Sequence, residues 1–292
     1  MVKKFQNKKS GFLLIDKPKG WTSFDVCGKL RKELDIKRIG HTGTLDPFAT
    51  GLLVVALGKC TKMIQFLDKD KKTYIAKILL GKTSETLDED SEVTVLETDF
   101  EVTKTQIEKI MTEKFSGVIS QIPPKYSALK IKGKKMCDLV RAGKEFEVKP
   151  RQAEVLNWNV LSVDTIEKSV EIELSVASGF YVRSFARDLG NIITRGGICS
   201  ELRRTSAGEL LVKDALDVES VDLETSFLSP TNILTKFKKV DIMQERLADF
   251  VAGRAFPISE FENGTRVLVD CENKTVGMAE IVDNKLQPRI VF

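Results

Sequence analysis

A continuous apolar run, from Leu52 to Leu57, is the feature that most restricts how this chain can fold. It follows a segment rich in turn residues and ends at Gly58. A short apolar run bounded by turn signals is typical of a strand covered on both faces. Tyr74 to Leu80 is a second strand candidate, so we expect a sheet that other layers enclose.

Two amphipathic segments predict helices beside this sheet. Thr22 or Ser23 can cap the first helix, whose apolar residues recur at helical spacing: Phe24, Cys27, Leu30 and Leu34. The second runs from Thr105 to Phe115 and directs Ile107, Ile110 and Met111 inward. The order of the strand and helix signals along the chain indicates an α+β protein.

The segment after residue 170 predicts a further strand. Ile172, Leu174 and Val176 alternate with polar residues, and the pattern carries on past Gly179 into the sequence FYVR. On such a strand Tyr181 and Arg183 would share one face, because side chains two residues apart point the same way. Ser184 could then cap a helix with apolar residues Phe185, Leu189 and Ile192.

The end of the chain predicts a small β-rich unit. A short helix, Gln244 to Val251, precedes strand candidates near Val267, Val276 and Ile290. By contrast, residues 121–151 contain two prolines, clustered lysines and little periodic apolar content. We expect this stretch to be a long excursion from the core, and long excursions are usually functional or disordered.

Composition excludes several classes of site. His41 is the single histidine, and the five cysteines are far apart with no Cys-x-x-Cys pair. A structural zinc site and a disulfide framework are therefore not expected, and we expect no cofactor. No apolar run approaches the roughly 20 residues that span a bilayer, so we expect no membrane insertion and a cytoplasmic location.

Charge is distributed unevenly along the chain. Residues 1–39 carry eleven basic and four acidic side chains, and residues 121–151 carry nine and three. Residues 214–292 carry nine basic and fourteen acidic side chains. A polyanion such as RNA should therefore lie mainly on the N-terminal two thirds, although each basic stretch alone could equally be a solvated face.

The densest group of special residues is GHTGTLDPFATGLL, from Gly40 to Leu53. Glycines permit positive φ and close backbone approach, and Asp-Pro favours a turn. Asp46 would thus be displayed on a tight loop just before the buried strand. The carboxylate could serve catalysis, or it could only bond its own backbone within the turn.

This loop resembles the signature of the TruB family of tRNA pseudouridine synthases. Five further blocks resemble the family in the same order: GFLLIDKPKGWTSFDV (Gly11 to Val26), KKTYIAKILLG (Lys71 to Gly81), QIPPKYSALKIKG (Gln121 to Gly133), SGFYVRSFARDLG (Ser178 to Gly190) and ELRRTSAG (Glu201 to Gly208). The acidic C-terminal region departs from the family, whose members end in an RNA-binding PUA domain.

The resemblance implies an α+β pseudouridine synthase fold with a mixed, mainly antiparallel sheet flanked by helices. It also implies a thumb-like insertion at about 121–151 and a small β-rich, PUA-like C-terminal domain. The catalytic domain would occupy residues 1–238 and the PUA-like domain residues 239–292.

The resemblance further implies roles for individual residues. Asp46 would be the nucleophile, Tyr74 would stack on the target base and accept a proton, and Arg183 would pair with Asp46. Four residues would contact substrate or support the site: His41, Tyr181, Leu202 and Asp88. The surroundings of Asp88 lack a glycine that the family usually has there.

The implied reaction is isomerisation of uridine 55 in the T arm of tRNA, by a monomer that needs no protein partner. A different class of function is a tRNA-folding factor that uses the same surface without catalysis. A guide-RNA-dependent relative and a two-carboxylate glycosidase are further alternatives. The segment SETLDEDSEVTVLETD favours the stand-alone branch, and no paired acid for a glycosidase can be located from spacing.

Overall fold

The computed structural model describes residues 10–67, 71–222 and 227–292. Six α-helices lie in these ranges: α1 Ser23–Glu33, α2 Lys104–Lys114, α3 Met136–Arg141, α4 Val182–Ile193, α5 Pro230–Ile233 and α6 Gln244–Val251. The strands of the same ranges are β1 Gly11–Lys17, β2 Ile39–Thr42, β3 Thr50–Leu57, β4 Lys72–Leu80, β5 Lys82–Thr83, β6 Thr94–Val95, β7 Gly117–Gln121, β8 Lys130–Ile131, β9 Lys134–Lys135, β10 Arg151–Asp164, β11 Ser169–Val176, β12 Gly197–Ala207, β13 Leu210–Leu211, β14 Leu216–Asp217, β15 Lys238–Asp241, β16 Phe256–Pro257, β17 Arg266–Cys271, β18 Lys274–Val282 and β19 Lys285–Val291.

A large mixed sheet forms the centre of the molecule. Its strands run in the order β14-β1-β3-β12-β4-β11-β10-β7, with β13 on β12 and β2 on β3. The β1–β14 and β12–β3 pairs are parallel, and the other pairs are antiparallel. The expected mixed, mainly antiparallel sheet is therefore confirmed, and β3 is the buried strand that the apolar run predicted.

Helix α1 begins where its sequence predicts. Thr22 caps it through a capping box with Asp25, in which the Thr22 side chain accepts from the Asp25 amide and the Asp25 carboxylate accepts from Thr22. Its buried face consists of Ser23, Val26, Cys27 and Leu30. Phe24 does not belong to this face, because its side chain is 68% exposed.

The prediction of a strand through FYVR is wrong. Strand β11 ends at Val176, Gly179 has φ of +93°, and helix α4 starts at Val182. Tyr181 is the residue before the first turn, so Ser184 does not cap this helix.

Helix α4 nevertheless has a clear inner face, formed by side chains at helical spacing that pack under the sheet: Val182, Phe185, Ala186 and Leu189. Ile192, which the sequence placed on that face, is 47% exposed.

Residues 121–151 leave the sheet at the end of β7 and return at the start of β10. Within this insertion, β8 and β9 form a two-stranded hairpin, and α3 follows directly. Within the insertion, Met136 is almost completely buried. The excursion is thus confirmed, and it contains more regular structure than its sequence pattern predicted.

The last part of the chain folds into a second sheet, with order β15-β17-β18-β19-β16. Helix α6 and the three long strands lie where the sequence predicted them. Buried residues of this sheet, including Leu268 and Met278, share one apolar core with Phe12 and Leu52 of the central sheet. No helix in the described ranges is long and apolar enough to cross a membrane.

Candidate active site

A cavity of about 470 Å³ opens beside the loop that joins β2 to β3, residues 43–49, which we call the Asp46 loop. Six of the residues that the sequence singled out line this cavity: His41, Asp46, Tyr74, Tyr181, Arg183 and Leu202. They come from four segments that are distant in sequence, residues 41–46, β4, residues 181–183 at the start of α4, and β12, and the central sheet brings them together. Asp88 does not line the cavity.

Asp46 and Arg183 form a forked ion pair at the cavity wall. Arg183 Nε lies 2.9 Å from Oδ2 of Asp46, and Arg183 Nη2 lies 3.0 Å from Oδ1. The arginine side chain is 6% exposed and the aspartate side chain is 34% exposed. A guanidinium matches a carboxylate in this geometry, which fixes the orientation of the acid as well as its charge.

The carboxylate of Asp46 is therefore engaged by a side chain rather than by its own turn. The turn itself is closed by the main chain, since the Ala49 amide donates to the Asp46 carbonyl over 3.1 Å. Burial raises the pKa of the Asp46 carboxyl above its ordinary value, and the Arg183 guanidinium opposes that rise. The forked pair favours the ionised form of the carboxyl, against the effect of burial.

Asp88 stands behind Arg183. Its Oδ2 lies 3.4 Å from Arg183 Nη1, and its side chain is only 4% exposed. The hydroxyl of Thr86 and the amide of Asp90 both donate to Oδ1 of Asp88. Arg183 is thus held between two carboxylates, one facing the cavity and one buried.

Arg183 also joins three segments of the chain. It donates to the carbonyl of Thr86 over 2.7 Å and to the carbonyl of Tyr126 over 2.9 Å. Tyr126 lies at the base of the 121–151 insertion. The position of Asp46 is consequently linked to that of the insertion through one side chain.

The two tyrosines of the cavity are held from different elements. Tyr74 lies on β4 in register with Leu174 of β11 and is 9% exposed. Tyr181 is fixed through its main chain, because the Gln121 side chain accepts from its amide and donates to its carbonyl. Burial raises the pKa of the Tyr181 phenol, and a hydrogen bond with Ser127 opposes the rise.

The other predicted residues occupy the floor and rim. Leu202 is 7% exposed on β12, paired with Ala76 of β4. His41 lies on β2 opposite Val55 and lines the cavity. No group of three His, Cys, Asp or Glu side chains suited to a metal occurs within residues 10–67, 71–222 and 227–292.

Sequence reasoning missed two buried cations next to the Asp46 loop. Lys17 is fully buried and donates to the carbonyls of Pro18, Trp21 and Pro47. Burial lowers its pKa to about 8. Arg204 is 1% exposed and donates to the carbonyls of Gly43 and Leu52. Both residues look like surface cations in the sequence. The signal that could have found them is their place in two blocks that resemble the family, at IDKPKG and LRRTS.

Comparison with known proteins agrees with this geometry. Residues 31–182 match the model of the TruB family pseudouridylate synthase N-terminal domain. The chain is 45% identical over 219 residues to tRNA pseudouridine synthase B of Endomicrobium trichonymphae, which covers 74% of this chain and 93% of that protein. It is 35% identical to the protein of the same name from Aquifex aeolicus (strain VF5), and the match covers 96% of this chain and 98% of that protein.

Solved structures show the same fold. An H/ACA RNP bound to a substrate RNA containing 2'-deoxyuridine includes a chain with a TM-score of 0.70 and 21% identity, covering 98% of this chain and 85% of that one. A Cbf5-Nop10-Gar1 complex gives a TM-score of 0.67 at 24% identity, covering 96% and 84%. The fold, the family model and the relatives agree, and this chain belongs to the TruB family of pseudouridylate synthases.

Proposed function

We propose that this pseudouridine synthase isomerises uridine 55 in the T arm of tRNA, with Asp46 as the nucleophile. The observation that carries the proposal is the Asp46 carboxylate, which is held in the fork of Arg183 and faces a cavity lined by two tyrosines. A carboxylate nucleophile held in a fixed orientation beside an open cavity is what covalent catalysis on a nucleoside requires.

The choice of tRNA is supported by the relatives and by charge. Relatives that cover nearly the whole chain carry the name tRNA pseudouridine synthase B. The basic stretches 1–39 and 121–151 suit phosphate contacts, which position RNA without reading its sequence. The assignment to position 55 extends the family resemblance to this chain.

The reaction needs one bond broken and one bond made. The bond between N1 of uracil and C1' of ribose breaks, the base turns, and a bond forms between C5 and C1'. The proton on C5 leaves and N1 gains a proton, so no group is gained or lost overall. Asp46 would attack either ribose C1' or ring C6, and both routes use the same ionised carboxylate. We propose that no cofactor is needed.

The cavity residues would divide the remaining tasks. Tyr74 would stack on the everted base, a contact that contributes about 1–3 kcal/mol per base, and would accept a proton during the rearrangement. Arg183 would orient Asp46, while Tyr181 and Leu202 would contact the base. Everting a nucleotide leaves a gap in the RNA, which His41 would fill. Asp88 would support Arg183.

We further propose that the catalytic domain spans residues 1–238 and the PUA-like domain residues 239–292, with the thumb-like insertion at about 121–151. Strand β15 of the C-terminal sheet starts at Lys238, next to this boundary. The enzyme would act as a monomer in the cytoplasm without a protein partner. Its acidic C-terminal region would contribute little to phosphate binding.

Tritium release from tRNA carrying tritium at C5 of uridine tests the proposal, since the C5 proton is lost only when the new bond forms. Wild-type protein should release tritium equivalent to one uridine per tRNA, and Asp46→Asn should release none while still binding tRNA. Arg203→Lys, outside the cavity, is the matched control and should stay active. Full activity of Asp46→Asn would refute the nucleophile. Refolding of tRNA without any release by the wild type would instead support the folding-factor alternative.

A further inference from the structure

Arg204 occupies an unusual position beneath the Asp46 loop. It lies on β12 and is among the largest side chains that are fully buried. Its hydrogen-bond partners are two main-chain carbonyls, and its Nη1 atom is buried without a hydrogen-bond partner in the part of the chain described. Burying a guanidinium in this way costs free energy, because carbonyls replace its hydration only in part. A purely structural position would hold an apolar side chain at lower cost.

The two carbonyls that Arg204 binds lie on opposite sides of Asp46. Nη2 donates over 3.1 Å to the carbonyl of Gly43, where the Asp46 loop starts. Nε donates over 2.6 Å to the carbonyl of Leu52, in β3 just after the loop. One planar side chain therefore spans both ends of the loop, and its rigid fork fixes the separation between them.

The backbone around Arg204 allows β12 to approach β3 closely. Strand β12 meets β3 at only two paired positions, Arg203 with Thr50 and Arg204 with Gly51. Gly51 has φ of +99°, and a Cβ atom there would lie 2.3 Å from the carbonyl oxygen of Arg204. Glycine is thus required for β3 to approach β12 this closely. The close approach brings the Arg204 side chain under the loop.

We propose that Arg204 is a positioning residue for Asp46: its guanidinium fixes the ends of the Asp46 loop so that the carboxylate meets the substrate in a reactive orientation. The inference rests on the proposed role of Asp46. Catalysis tolerates little error in such a placement, and a displacement of about 1 Å can cost roughly 100-fold in rate. Arg204 borders the cavity but is only 1% exposed, so it would act through the loop rather than by binding the substrate.

Arg204→Lys is the informative variant, because lysine keeps the charge but has one nitrogen and cannot bind both carbonyls. Its kcat should fall about 10-fold to 100-fold, with KM and tRNA affinity within about threefold of the wild type. The kcat of Arg204→Met should fall by at least the same factor. The matched control is Arg203→Lys, since Arg203 is the neighbouring residue and pairs with Asp16 instead; its kcat should stay within about twofold.

Amide hydrogen exchange tests the same proposal without relying on activity. The Leu45 amide donates to Ser23 Oγ and the Ala49 amide to the Asp46 carbonyl, so both report on the Asp46 loop. Arg204→Lys should speed their exchange about tenfold, and Arg203→Lys should not.

Three results would overturn the proposal: unchanged kcat and exchange in Arg204→Lys, a loss confined to tRNA binding, or failure of both Arg204 variants to fold. An inactive wild type with loop exchange still accelerated in Arg204→Lys would contradict the proposed function, while still supporting the role of Arg204 in fixing the Asp46 loop.

Discussion

Asp46 and Arg183 lie 137 positions apart in the chain, yet two nitrogens of the arginine meet two oxygens of the aspartate at 2.9 and 3.0 Å. The aspartate comes from a loop before the buried strand β3, and the arginine comes from the first turn of α4. Their pairing depends on the central sheet, which sets the Asp46 loop and the helix with Arg183 beside one cavity.

Replacement of Arg183 by lysine should lower kcat about 100-fold. Lysine keeps a positive charge but offers one nitrogen, so Asp46 would lose its fixed orientation. The rate of tritium release from C5-labelled tRNA measures the effect. Arg187→Lys is the control, because Arg187 lies one turn further along α4 and pairs with Asp188. Equal activity of the two variants would show that the fork has no catalytic value.

Asp88→Asn should destabilise the fold by about 1–3 kcal/mol. The change removes one of two carboxylates from a buried arginine, and the side chains of Asp88 and Arg183 are only 4% and 6% exposed. Urea unfolding at pH 7 measures the free energy of unfolding. Asp90→Asn, in the same loop but exposed, should change it by less than about 0.5 kcal/mol. A loss no larger than that in Asp88→Asn would contradict the buried pairing.

The dependence of kcat/KM on pH should show an acidic limb that belongs to Asp46. The reaction needs the ionised carboxylate, and burial raises its pKa above the ordinary value of 3.8. Activity should therefore fall as pH decreases through this raised pKa. Circular dichroism at each pH confirms that the protein stays folded. A rate that holds constant down to pH 3.8 would be incompatible with the assigned carboxylate.

Lys17 should make stability depend on pH on the alkaline side. Its pKa is about 8 in the folded protein and roughly 10.4 in an unfolded chain. Between these values the unfolded state binds more protons, so the free energy of unfolding rises with pH. Below pH 8 the cost of burying the charge is fully present.

The test compares wild type with Lys17→Met from pH 7.5 to pH 10 by urea unfolding. The wild type should gain about 2 kcal/mol relative to Lys17→Met over that window. Lys32→Met, at an exposed site on α1, serves as the control and should show no such gain. A constant difference between wild type and Lys17→Met would mean that Lys17 keeps its ordinary pKa.

The strands and the Asp46 loop could be predicted from sequence because their signals are local. The apolar run Leu52 to Leu57 and the alternation around Ile172 both correspond to strands of the central sheet. Glycines and Asp-Pro marked the Asp46 loop. The roles of individual residues came from the family resemblance and remain predictions, of which the variants above test those of Asp46, Arg183 and Asp88.

Local sequence signals did not predict two features, the start of α4 and the burial of Lys17 and Arg204. The FYVR segment alternates like a strand, and the helical spacing that begins at Val182 competes with that pattern. The chain turns after Gly179, where φ is positive, so the helical pattern determines the structure. Long cations such as Lys17 and Arg204 look like surface residues, because their burial depends on carbonyls from distant segments.

The most direct test of the central claim is a map of pseudouridine in tRNA from cells that lack this gene and carry either the wild-type gene or Asp46→Asn. The account predicts pseudouridine at position 55 with the wild type and unmodified uridine there with Asp46→Asn, at equal protein levels. Pseudouridine at position 55 in cells that contain only Asp46→Asn, or its absence with the wild type, would contradict the account.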